Sequence, residues 1–74
     1  MKQKRVPIQI NTEFITLGQF LKFVDIVGSG SEAKFYLADH QILINKELDN
    51  RRGRKIRSGD IVEIEDAVYE IISK

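Results

Sequence analysis

The sequence predicts an α+β domain in which two short helices pack against a small, mostly antiparallel sheet of four to five strands. Residues 6–10 alternate apolar and polar side chains, which is typical of a half-buried strand. Residues 16–40 repeat apolar side chains at helical spacing behind two helix-capping signals. From residue 41 onward the strand pattern returns in short runs that turn residues separate. Strands on both sides of a helical pair predict helices grouped on one side of a sheet.

The first strand contains Pro7, which predicts that it lies at an edge of the sheet. Proline has no backbone N–H, so it cannot donate the hydrogen bond that an interior strand needs. The basic residues before the strand are typical of the start of a signal peptide, but no long apolar run follows them. No segment approaches the roughly 20 apolar residues of a membrane span. We therefore expect one cytoplasmic domain over residues 1–74, with no membrane partner.

Thr16 and Gln19 have the spacing of a capping box, which predicts that the first helix begins there. Four apolar residues then recur at positions i, i+3, i+4 and i+7 and form one stripe. These residues are Leu17, Phe20, Leu21 and Val24. Phe23 widens the stripe, so we expect the aromatic residues of this helix to pack in the core.

Ser29 and Glu32 repeat the capping-box spacing after a turn that contains glycine. A second helix is predicted to begin there and to end near Asp39. His40 follows the last helical residue, where an imidazolium would interact favourably with the helix dipole. We therefore interpret this histidine as a helix cap rather than as a catalytic group.

The remaining chain predicts three or four strands joined by turns. Gly59, in the last of the turns before a clear strand, is expected to have a positive φ. The predicted features, in order, are a short apolar strand at 41–44, a turn at 45–46, a return of the apolar strand pattern at Leu48, a turn at 58–60, a strand at 61–65, a hairpin turn at 66–67 and a strand at 68–72.

The composition excludes several kinds of site. The chain has no cysteine, so it forms no disulfide and no thiolate zinc site, and its single histidine is too few for a metal centre. There is no cysteine nucleophile, and the phosphate-binding pattern Gly-x-x-x-x-Gly-Lys is absent. We therefore expect no enzymatic activity, no cofactor and no small-molecule substrate, and we expect a monomer.

Residues 51–57, which we call the basic segment, carry five of the chain's twelve lysines and arginines. Removing these five positive charges from the formal net charge of +1 leaves −4 for the rest of the chain. Such crowding is unfavourable unless an anionic partner or a neighbouring acidic face offsets the repulsion. Four of the five cations are arginine, which can donate two parallel hydrogen bonds to a phosphate and stack on a base.

The basic segment therefore favours a nucleic-acid contact. Gly53 lies in its middle and would let the backbone approach a partner closely or take a positive φ. The alternative is a solvated basic loop that contributes only to solubility.

The ordered set of motifs resembles the S-four RNA-binding domain, named for the fourth protein of the small ribosomal subunit. The resemblance covers residues 10 to 65, and the basic segment is similar to that of the small stand-alone bacterial members, the YaaA-like family. The motifs are Thr-Leu-Gly-Gln-Phe-Leu-Lys-Phe at 16–23, Ser-x-x-x-Ala-Lys at 29–34, Ile-Leu-Ile-Asn at 42–45, Asn-Arg-Arg-Gly-Arg-Lys at 50–55 and Ser-Gly-Asp-Ile-Val-Glu-Ile at 58–64.

This resemblance implies an αL-type RNA-binding fold whose two helices and adjoining loops contact structured RNA, ribosomal RNA among the candidates. By position, Lys34 matches a basic residue of the family's second helix, and Ser29 matches the serine that opens it. Together with the basic segment, the candidate RNA-binding residues are Arg51, Arg52, Arg54, Lys55, Arg57, Lys34, Asn50, Gly53, Ser29, Lys46 and Lys22.

The chain departs from the family pattern at three places. Ile15 and Gly30 stand where the family commonly has arginine, and Lys46 stands where its Val-Asn-Gly turn has glycine. We therefore expect the basic segment to replace the contacts of the missing arginines.

A protein-interaction adaptor without nucleic-acid binding is the alternative function, on the same fold or on a ubiquitin-like β-grasp fold. The Gly-Asp-Ile-Val-Glu-Ile run at 59–64 is also similar to that of small sulfur-carrier proteins. Those proteins need a Gly-Gly tail, whereas this sequence ends in Ile72-Ser73-Lys74.

Overall fold

A computed structural model of the chain describes residues 5–64 and 67–73. Within these residues the chain forms seven strands and two helices. Their bounds, in chain order, are β1 Arg5–Ile10, β2 Phe14–Thr16, α1 Leu17–Phe23, α2 Gly30–Asp39, β3 Ile42–Ile44, β4 Glu47–Leu48, β5 Lys55–Arg57, β6 Ile61–Ile64 and β7 Ala67–Ser73.

The main sheet has five strands in the order β1-β7-β6-β3-β4. All its pairs are antiparallel except β1 with β7, which are parallel. The predicted α+β class, with a mostly antiparallel sheet of four to five strands, is confirmed. The first strand lies at the edge of this sheet, as Pro7 predicts.

A second sheet, of two strands, was not predicted. β2 and β5 pair antiparallel, with Ile15 opposite Ile56. Ile56 is fully buried, and Ile15 packs against the core, while Lys55 and Arg57 on either side of Ile56 are exposed. One end of the basic segment is therefore a strand with an apolar inner face.

Helix α1 begins at the predicted capping box. The Thr16 hydroxyl accepts from the Gln19 backbone N–H at 3.2 Å, and the Gln19 side-chain carbonyl accepts from the Thr16 N–H at 2.9 Å. The helix ends in a Schellman arrangement. Asp25 takes a φ of 65°, its N–H donates to the Lys22 carbonyl, and the Ile26 N–H donates to the Leu21 carbonyl. An aspartate tolerates this left-handed conformation better than most residues do.

Helix α2 begins after Ser29, whose hydroxyl accepts from the Glu32 backbone N–H at 3.2 Å. The Glu32 carboxylate accepts from the Gly28 N–H rather than from the Ser29 N–H, so the capping box is completed one residue earlier. His40 is the C-terminal cap, as predicted, and its ring stacks on Tyr36 with centroids 3.8 Å apart.

One core joins both helices to both sheets, since the buried residues come from all four. The stripe of α1 is confirmed, because Leu17, Phe20 and Leu21 are fully buried and Val24 packs against the core. The prediction that Phe23 joins the core is wrong, because this residue is 62% exposed. It follows exposed Gln19 by one helical turn, so it lies on the flank of α1 rather than on the stripe.

The predicted turns are also found. Asn45 and Lys46 have φ values of 54° and 73°, which suits the two-residue hairpin between β3 and β4. Gly59 has a φ of 96°, as predicted. The predicted strand residue Glu65 and turn residue Asp66 lie outside the described residues. Ala67, predicted in the same turn, is instead the first residue of β7 and pairs with Ile64.

Candidate nucleic-acid interface

The loop between β4 and β5 carries the first half of the basic segment and lies against the start of α1. The N–H of Leu17 donates to the Arg54 carbonyl at 2.8 Å, and the N–H of Gly18 donates to the Arg52 carbonyl at 3.0 Å. The first amides of a helix have no acceptor within it, so these bonds satisfy both the helix N–H groups and the loop carbonyls. The backbone of the loop is therefore fixed relative to α1.

Asp49 neutralises part of the charge of this loop. Arg51 donates to both carboxylate oxygens of Asp49, from Nε at 3.1 Å and from Nη2 at 2.9 Å. Arg54 Nε donates to the same carboxylate at 3.2 Å. The hydrogen bond from the Arg51 side chain is the main reason that the pKa of Asp49 falls from 3.8 to about 2. Arg51 and Arg54, two of the five cations of the basic segment, thus share Asp49 as a counterion. The crowded charge predicts only that an anionic partner or an acidic face would offset it.

Asp49→Asn is expected to destabilise the fold at neutral pH but not in strong acid. The folded-state pKa lies below the unfolded one, so the stabilisation is complete above about pH 4 and disappears as the pH falls to about 2. Urea unfolding of both proteins from pH 7 to pH 2 would measure this. The wild-type advantage should shrink through that window, and a constant difference across it would contradict the assigned contact.

Arg52 is arranged differently, because no acid pairs with it among the described residues. Its Nη1 donates to the Gly30 carbonyl, in the first turn of α2, at 3.2 Å. Two adjoining depressions, of about 300 and 360 Å³, share this arginine. We call their combined lining the Arg52 surface. Its residues are Thr16, Gly18, Gln19, Lys22, Gly30, Lys34, Leu37, Ala38, Asn50, Arg52 and Gly53.

The Arg52 surface brings cations from three elements together. Lys22 comes from α1, Lys34 from α2 and Arg52 from the loop, and among the residues that the structure describes no aspartate or glutamate lines the surface. Asn50 and Gly53, two other predicted site residues, line it as well. Predicted Ser29 is next to it as the cap of α2. Gly53 does not take a positive φ, and a side-chain carbon there would meet nothing within 4 Å.

Lys55 and Arg57 lie on the outer face of the small sheet. Both flank Phe14, with the Lys55 Nζ 4.9 Å and the Arg57 Cζ 5.8 Å from the ring centroid. Such cation–π contacts hold the cationic groups near an aromatic surface. These two side chains do not line the Arg52 surface.

Lys46 lies apart from the other predicted residues. Its Nζ is 3.7 Å from a carboxylate oxygen of Glu63, and it lines a separate depression of about 470 Å³ with Arg5. Arg5 in turn is 3.8 Å from the carboxylate of Glu70. These two cations are therefore paired with acids on the main sheet.

Four residues that line depressions near the interface were not predicted as site residues: Gly18, Gln19, Phe14 and Phe23. Gly18 is buried beside Arg52, where an added Cβ would lie 3.4 Å from the Arg52 Cγ. No sequence signal distinguishes these residues as site residues. Asp49 did carry a signal, because it precedes Arg51 by two positions and a short acidic side chain can accept from the backbone N–H two residues further on.

Residues 5–64 and 67–73 contain neither a metal-binding cluster nor a candidate membrane-spanning helix. No group of three or more metal-binding side chains comes together there. None of the helices in that part of the chain is long and apolar enough to cross a bilayer.

Comparison with known proteins identifies the class. The S4 domain family matches residues 8–72, and the chain belongs to this family. The resemblance in the sequence analysis is therefore confirmed. The chain is also similar to a Bacillus subtilis (strain 168) protein named probable ribosome maturation protein RlbA, with 61% identity over 59 residues. That match covers 80% of this chain and 83% of the relative.

Proposed function

We propose that the chain is a non-catalytic RNA-binding module that contacts structured RNA through the Arg52 surface and the rest of the basic segment. The observation that carries the proposal is the convergence of Lys22, Lys34 and Arg52 on a surface that no acidic residue of the described ranges lines. Three cations held by two helices and a docked loop suit a polyanion, because their repulsion is relieved only by added negative charge. Membership of the S4 domain family supports the same assignment.

Arg52 is the residue best prepared to bind a phosphate. Its Nη1 is held by the Gly30 carbonyl, while its Nε and Nη2 donate to no other described residue. Those two donors form the side of the guanidinium that binds two phosphate oxygens at once. The existing bond to Gly30 fixes the side chain in advance, so less conformational entropy is lost on binding.

The geometry also supports the hypothesis that the basic segment replaces arginines common in the family. Gly30 stands at one such position, and the side chain that reaches its carbonyl comes from Arg52. Ile15 stands at the other, and this residue packs against the core. In our proposal the guanidinium beside the start of α2 is therefore supplied by the loop instead of by the helix.

Ribosomal RNA is the proposed partner class, on the strength of the name of the relative from Bacillus subtilis. The proposal places the protein in the cytoplasm as a monomer that acts without a cofactor. Arg51 and Arg54, which share Asp49, would add weaker contacts, because part of their charge is already offset.

Binding of a labelled RNA hairpin at several salt concentrations tests this function. Contacts with three to five phosphates predict a slope of log affinity against log salt of roughly −2 to −3.5 for single strands, and a steeper one for duplex. A flat salt dependence, or no binding at low salt, would contradict the proposal. Capture of protein partners that survives nuclease treatment would favour the adaptor function instead.

A further inference from the structure

A fourth depression, of about 630 Å³, lies between the β1–β2 connection and α1. It adjoins the Arg52 surface, since Gln19 lines both. Its walls combine two aromatic rings, Phe14 and Phe23, with the amide side chains of Gln9, Asn11 and Gln19. Within residues 5–64 and 67–73, no aspartate or glutamate lines it. The function proposed above does not use this feature.

Phe23 gives the depression an exposed aromatic surface. The side chain is 62% exposed although its helix buries three neighbouring apolar residues completely. Leaving a phenylalanine in water forgoes the stabilisation that its burial would contribute. An exposed ring beside a cationic surface is the arrangement on which unpaired bases stack.

The amide side chains are available for hydrogen bonding. Gln19 uses its carbonyl oxygen to accept from the Thr16 N–H, and this leaves its NH₂ group without an acceptor in the described residues. Gln9 and Asn11 add two further amide side chains to the lining of the depression. Amides present donors and acceptors side by side, which matches the hydrogen-bonding edges of nucleobases.

Cations flank the depression on both sides. Lys55 and Arg57 contact the Phe14 ring in its wall, and the Arg52 surface continues beyond Gln19. A base placed against Phe23 would therefore have cationic groups on either side for the adjacent backbone phosphates. An apolar peptide side chain would use the rings but neither the amides nor the charges.

We propose that this depression binds an unpaired RNA base, stacked on Phe23 and hydrogen-bonded by the neighbouring amides. The inference rests on the proposed RNA-binding function and narrows it. The partner is then an RNA in which an unstacked nucleotide, in a loop or bulge, lies next to the backbone that the Arg52 surface contacts.

The test uses Phe23→Trp with Phe35→Trp as the matched control. The chain has no tryptophan, so each variant carries a single emitting indole. Phe35 is 69% exposed on α2 and does not line the depression. The probes are a hairpin RNA with a uridine loop and a blunt duplex with the same stem. We expect the hairpin to quench Phe23→Trp emission through base stacking, with little change for the duplex or for Phe35→Trp.

Affinity gives a second readout. Phe23→Leu should weaken hairpin binding by at least about fivefold, as expected for one lost base–aromatic stack, and leave duplex binding unchanged. Phe35→Leu should change neither. Equal quenching in the two tryptophan variants, or none while wild type binds the hairpin, would overturn the inference and leave the proposed function standing. If wild type binds neither RNA at low salt, the proposed function fails and the inference with it.

Discussion

Replacing Arg52 and Lys34 together by glutamine is expected to weaken RNA binding on the order of 100-fold at about 50 mM salt. Both side chains line the Arg52 surface, where the described part of the chain has no acidic residue to offset them. Losing two phosphate contacts should also make the salt slope shallower by about 1.4 to 1.8. The measurement is fluorescence anisotropy of a labelled RNA hairpin over a range of salt concentrations.

Arg5→Gln combined with Lys46→Gln is the matched control, because it removes one arginine and one lysine as well. These two cations lie near Glu70 and Glu63 on the main sheet. The control should lose little affinity and keep most of the slope. If the two double variants weaken binding equally while both remain folded, RNA binding depends on net charge alone, and the assignment to the Arg52 surface is wrong.

Phe20→Ala is expected to destabilise the fold by about 3–5 kcal/mol. Phe20 is fully buried and meets Tyr69 of β7 edge to face, with ring centroids 5.2 Å apart. It therefore attaches α1 to the main sheet. A domain of this size is stable by only about 4–11 kcal/mol, so the loss ranges from about a quarter of that stability to all of it. Urea unfolding followed by circular dichroism measures the change.

Phe35→Ala is the control for the same chemical change on the surface. Phe35 is 69% exposed, and its truncation should alter stability by less than about 0.5 kcal/mol. Similar unfolding midpoints for the two alanine variants would contradict the described core. The result also bears on function, because α1 carries Lys22 and the backbone amides of Leu17 and Gly18, which bind the loop between β4 and β5.

The elements with local signals could be predicted from the sequence. The capping box at Thr16 and the positive φ of Gly59 depend on residues within a few positions, and both are found. The pairing of β2 with β5 joins segments about 40 residues apart, and each strand has only three residues. A charge run also conceals the alternation of Lys55, Ile56 and Arg57. Hydrophobic period does not identify a strand's partner, so the parallel pairing of β1 with β7 was not predictable either.

The candidate site was predictable in composition but not in arrangement. Charge density located the basic segment, yet it did not separate Arg51 and Arg54, which share Asp49, from Arg52, which faces the helices. That separation depends on how the loop folds back on α1. Helical spacing permits Phe23 in the core, whereas in the structure it lies on the flank of α1 and only the stripe residues of that helix are buried, together with Gly18.

Mapping the RNA contact on the protein tests the central claim most directly. Backbone amide shifts of the ¹⁵N-labelled chain would be followed while an RNA hairpin is added at low salt. We predict the largest shifts where α1, α2 and the loop meet, at Gly18, Lys22, Gly30, Lys34 and Gly53. Shifts confined to the main sheet around Arg5 and Lys46, or no shifts at saturating RNA, would contradict it.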